Sequence, residues 1–108
     1  MYTKDFHGLS LEAAEYELDL AIKTARRDKD KLLCLIVGHG ASGKTHKIKT
    51  RFIELLALLE EKNQIKGFIK GEDLNIFSKA YQSFKFTNRV YPIINNGHPN
   101  QGEIYVVL

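Results

Sequence analysis

Asp5 and His7 stand two residues apart near the start of the chain, and a second segment reads Gly38-His39-Gly40-Ala41-Ser42-Gly43-Lys44-Thr45. A carboxylate beside an imidazole can fix its tautomer, stabilise the imidazolium and raise its pKa. That is the pairing general acid or base work requires near neutral pH. Glycines let backbone amides approach an anion closely, and a following helix N-terminus adds its positive pole. Residues 44–51 then carry Lys44, Lys47, Lys49 and Arg51 without one acid, with His46 on the same face. Such a run suits a polyanion, although a solvated helix face has the same composition. Asp5, His7 and His39 could share a metal, but no H-E-x-x-H-like spacing supports one. His98 falls in a surface loop.

Taken singly, an Asp-x-His at a strand end or a Gly-His-Gly turn is an ordinary structural feature. Their value depends on the elements that carry them. Residues 2–7 alternate and read as a strand broken by Gly8, with Ser10 as the N-cap of a helix. In that helix Leu11, Ala14, Leu18, Ala21, Ile22 and Ala25 recur at three- and four-residue spacing, which predicts an amphipathic element ending at Asp28-Lys29-Asp30. Residues 32–37 are a continuous apolar run of strand length, as a strand buried on both faces needs. A second helix is predicted over 45–62, with Ile48, Phe52, Leu55, Leu56 and Leu59 as its stripe. A third is expected over 72–84, a strand with Pro92 at an edge or bulge over 89–95, and a last strand over 103–108. The fold class is α/β: βαβα, an inserted helix, then a C-terminal ββ hairpin. If the first two strands are parallel neighbours, Asp5-Phe6-His7-Gly8 and Val37-Gly38-His39-Gly40 end on the same sheet edge. Ligands of open α/β sheets bind outside that edge.

The chain's 108 residues suit a single domain, 1–108. Lys and Arg number 16 against 13 Asp and Glu, a net charge of +3. That average hides an asymmetry: residues 1–21 hold Lys4 alone against Asp5, Glu12, Glu15, Glu17 and Asp19. The single cysteine, Cys34, excludes a disulfide framework and lies in an apolar run, so it reads as a core residue. No apolar stretch approaches the ~18 residues of a membrane span. The first residues lack the apolar core of a signal peptide, and a cytoplasmic protein is expected.

Gly38 to Thr45 also fits the phosphate-loop pattern G-x-x-x-x-G-K-[ST], after an apolar strand and before a helix. In that role amides would cradle phosphates, Lys44 would reach the terminal ones, and the Thr45 hydroxyl would meet magnesium. Only 63 residues follow Thr45, too few for the usual multi-stranded nucleotide-hydrolysing core. No later apolar run ends in the aspartate such a site uses, and Asp5-x-His7 would have no task.

Asp5-Phe6-His7-Gly8-Leu9, Val37-Gly38-His39-Gly40 and residues 100–108, Asn-Gln-Gly-Glu-Ile-Tyr-Val-Val-Leu, taken in order, resemble the small MutS-related (Smr) domain. That family opens with a leucine–aspartate–x–histidine–glycine strand, ends its second strand in threonine or histidine before Gly-x-Gly, and closes on alternating apolar residues after a glycine turn. Lys4 stands here in place of the leucine, and Val37 in place of the threonine or histidine. The resemblance implies a two-layer sandwich like the C-terminal domain of a translation initiation factor. The segment 62–86 is longer than that core needs and looks like an inserted helix.

The resemblance further implies nucleic-acid cleavage, either endonucleolytic cutting of RNA or nicking of DNA. Asp5 and His7 are then the catalytic candidates, and Gly38-His39-Gly40 the phosphate-facing loop. Lys44, Lys47, Lys49 and Arg51 would hold the strand. On RNA, His7 would take the 2′-hydroxyl proton or protonate the leaving oxygen, with Asp5 orienting the ring. DNA lacks that hydroxyl, so cutting it would need an activated water and a divalent metal such as Mg2+. A non-catalytic nucleic-acid or ribosome-binding module is the alternative, and a phosphate-loop nucleotide-binding protein stands behind it.

Overall fold

Alternation in the opening residues becomes β1, Tyr2–Asp5, and the apolar run becomes β2, Leu32–Ile36. This computed structural model describes residues 1–38, 43–74, 78–88 and 102–108, and the side chains of 43–46 and 85–88 lie outside the description. Between the two strands runs α1, Leu11–Arg27, which starts where Ser10 Oγ accepts a hydrogen bond from the Ala13 amide. Arg26 and Arg27 in its last turn suit the negative end of the helix dipole. Then come α2, Gly43–Glu61, β3, Gly67–Lys70, a 3₁₀ turn, Gly71–Asp73, α3, Lys79–Asn88, and β4, Glu103–Val107.

The sheet order is β1-β2-β4-β3. β1 and β2 are parallel, with Asp5 opposite Ile36, and β4 runs antiparallel to β2 and to β3. Phe6, Leu33, Leu35, Val37, Ile104 and Val106 turn to one face, where α1 and α2 close the larger core through Leu18, Ile22, Ile48, Phe52 and Leu56. The other face carries Leu32, Cys34, Ile69, Tyr105 and Val107, packed with Leu74, Tyr81 and Phe84. The expected two-layer arrangement of sheet and paired helices is present, and α3 adds a layer on the opposite face. Leu11, expected on the apolar stripe of α1, is instead exposed at the helix's first position.

The inserted segment differs most from the sequence expectation. Its helix begins at Lys79 rather than Glu72, because Ser78 Oγ accepts the Tyr81 amide and so supplies an N-cap. Leu74 keeps helical spacing with Tyr81 and Phe84 and shares their cluster, yet it follows the 3₁₀ turn. β3 was not expected from the sequence. It is four residues long, and its Phe68-Ile69 pair gives too short an apolar signal until β4 pairs with it. The C-terminal antiparallel pair is therefore β3 with β4, and α3 lies between them in the chain. The strand expected over 89–95 lies outside the described residues. Among the described residues, no helix is long and apolar enough to cross a membrane.

Candidate functional site

The ends of β1, β2 and β3 and the start of β4 fall on one sheet edge, as the pairing directions require. Backbone bonds tie them together just past the strands. The Phe6 amide donates to Ile36 O at 2.9 Å, and the Val37 and Gly38 amides both donate to Gly102 O, at 2.7 and 3.2 Å. Gly8 and Gly38 each turn the chain with φ +82°, a conformation that costs little only for glycine. Nothing lies within 4 Å of where a Gly8 Cβ would stand, so there the demand is one of backbone conformation and not of space. α2 begins at Gly43, a few residues beyond Gly38.

Strand parity sets the exposure at this edge. Phe6 is fully buried, whereas Asp5 and His7 on either side of it are exposed. The Asp5 Oδ1 accepts a hydrogen bond from the backbone amide of His7 at 2.8 Å. In this structure Asp5 holds the main chain at His7, and through it the position from which the imidazole projects. Such a short-range turn is a common use of Asp beside a strand end. Val37 is a core residue facing α1 and α2. The Gly38 amide is engaged by Gly102.

The basic run divides in two. Lys47 is exposed. Lys49 Nζ lies 2.8 Å from both carboxylate oxygens of Glu72 and ties α2 to the turn after β3. Arg51 donates to Glu15 of α1 and to Glu54 of its own helix, and hydrogen bonding to Glu15 above all holds its guanidinium pKa above the ordinary value. Lys49 and Arg51 therefore fasten elements together in this structure. Their partners are 23 and 36 residues distant in sequence, beyond the reach of a local charge pattern. His39 and Gly40, together with the side chains of Lys44, Thr45 and His46, lie outside the described residues, as does His98. The same holds for most of the phosphate-loop pattern. Among the described residues, no three His, Cys, Asp or Glu side chains cluster as a metal site would need.

One carboxylate at this edge is missing from the sequence-based expectation. Glu103 opens β4, and its Oε2 accepts from the Tyr105 hydroxyl and lies 3.8 Å from Cys34 Sγ. Its signal was available in parity: it alternates with Ile104 and Val106, which are buried on the opposite face. Burial, and then the Glu103 charge, push the Cys34 thiol up from 9.0 to about 12. The unfolded chain therefore loses this proton first as pH rises, so folding stability falls between pH 9.0 and about 12. Below that window both states are protonated and the contribution is complete. Urea melts of wild type and Cys34→Ala across the window should diverge in slope, with the variant less sensitive to pH. Parallel pH profiles would contradict a buried thiol.

Neither a family model nor a curated protein matches this chain. Among solved structures, the Smr domain of Thermus thermophilus MutS2 superimposes with a TM-score of 0.63 at 18% identity. The match covers 100% of this chain and 98% of that domain. The two chains thus correspond over nearly their whole lengths, and this chain has the fold of an Smr domain.

Proposed function

We propose that the chain is a nucleic-acid endonuclease whose site is the sheet edge bearing Asp5 and His7. The observation that carries this is the exposed His7, set by an Asp5–backbone bond on the carboxyl edge of two parallel strands, where the chain turns toward the start of α2. On RNA, His7 moves a proton as the 2′-hydroxyl attacks the adjacent phosphorus, and the reaction needs no external nucleophile. Exposed Lys47 and the N-terminal end of α2 attract the phosphate backbone. DNA lacks the 2′-hydroxyl, so cutting it would instead need an activated water.

The test is incubation of the full chain with end-labelled RNA and DNA, with and without EDTA. RNA cleavage that survives EDTA is the expected result. Salt-sensitive binding with both strands left intact would assign the chain instead to a nucleic-acid or ribosome-binding module.

A further inference from the structure

We infer that Glu103 is the second acid–base group of this site, the one that takes the proton from the ribose 2′-hydroxyl; this rests on the endonuclease reading above. Asp5, Ile36 and Glu103 occupy one row across β1, β2 and β4. Asp5 and Glu103 alternate with Phe6 and Ile104, both buried in the larger core, so the two carboxylates share the opposite face. Two strand spacings separate them, roughly 10 Å. His7 follows two residues later, exposed in the turn after β1.

The chemistry calls for two groups set apart in this way. In the transesterification the 2′-oxygen forms its bond to phosphorus while its proton passes to the Glu103 carboxylate. The bond from phosphorus to the 5′-oxygen breaks with its electron pair, and that oxygen takes a proton from the His7 imidazolium. The products are a 2′,3′-cyclic phosphate and a 5′-hydroxyl. Attacking and leaving oxygens lie on opposite sides of the phosphorus, and a base and an acid each within about 3 Å of their own oxygen must straddle it. One imidazole cannot be in both places, and Glu103 stands across the sheet edge from the strand that carries it.

Glu103 is also held for the task. The Tyr105 hydroxyl and the Cys34 thiol both approach its Oε2. Burial keeps both of those groups protonated, so they remain donors at neutral pH. Along the same sheet edge, Asp5 ends β1, and Glu72 and Asp73 lie in the turn after β3. Glu72 is paired with Lys49, and Asp73 with Lys70. Tyr81 faces the same layer from α3.

Glu103→Gln keeps an oxygen acceptor for Tyr105 and removes the base. In the full chain it should cut RNA about 10²–10⁴-fold more slowly while binding it as wild type does. A second arm needs no variant: wild type should leave intact an RNA carrying a single 2′-deoxy nucleotide at the cleaved position. A wild-type rate in Glu103→Gln would overturn the assignment, as would cutting at the deoxy position. If wild type cuts no RNA at all, the endonuclease reading itself falls, and the role of Glu103 with it.

Discussion

His7→Ala is expected to abolish RNA cleavage while leaving both the fold and RNA binding in place. General acid–base catalysis by one positioned side chain contributes about 10²–10⁴-fold, and the residual rate of this variant should fall by at least that range. The fold should tolerate the change because His7 is exposed in a turn, and among the described residues no hydrogen bond reaches its ring. Cleavage measured alongside a binding titration and a urea melt separates the three effects. Cutting retained in this variant would remove His7 from the mechanism. Asp5 gives a graded companion result. Asp5→Asn retains an oxygen that can accept the His7 amide and should lose little, whereas Asp5→Ala frees the turn and should lose more. If the carboxylate charge itself drove catalysis, Asp5→Asn would be as inactive as His7→Ala.

The legible and illegible parts of this chain divide according to the range of the interactions involved. Ser10 and the Leu18–Ile22–Ala25 stripe are local signals, so α1 could be placed closely from sequence, as could β2 from its unbroken apolar run. The shared edge of β1 and β2 came from connectivity, since a strand–helix–strand unit with parallel strands aligns their carboxyl ends. β3 could not be read in this way. Gly67 and Lys70 flank only two strong strand formers, and the segment becomes a strand by pairing with β4 far along the chain. The same applies at the site. Asp5-x-His7 announced a pair of polar groups, but not that the carboxylate would choose the nearer backbone amide over the ring. Lys49 and Arg51 announced positive charge, and only the fold brings Glu72 and Glu15 to them. Residue type alone therefore does not tell which cations are paired within the fold.

Phe6→Ala is expected to have the largest effect on stability, and it links the core to the chemistry. Phe6 is 0% exposed and meets Phe52 of α2 edge to face, with ring centroids 4.8 Å apart. Truncating a buried Phe to Ala costs about 3–5 kcal/mol, the lost transfer energy plus the cavity left behind. The edge-to-face contact adds about 0.5–1.5 kcal/mol beyond area burial. Natural domains have only about 5–15 kcal/mol in total, so the variant should be partly or largely unfolded at 37 °C. Urea melts should show the midpoint fall sharply with little change in slope, the pattern of lost stability in an otherwise cooperative fold. Phe6→Leu keeps most of the volume and should cost less than half as much. The consequence for function comes from position. Phe6 is the one buried residue between Asp5 and His7, and its packing against α2 fixes the height at which both leave the sheet. Phe6→Leu should therefore fold yet cut RNA more slowly than its stability loss explains, because a displacement of about 1 Å at a catalytic group can cost about 10²-fold. A Phe6→Leu protein with full activity would show that the turn held by Asp5 and Gly8 positions His7 without help from the core.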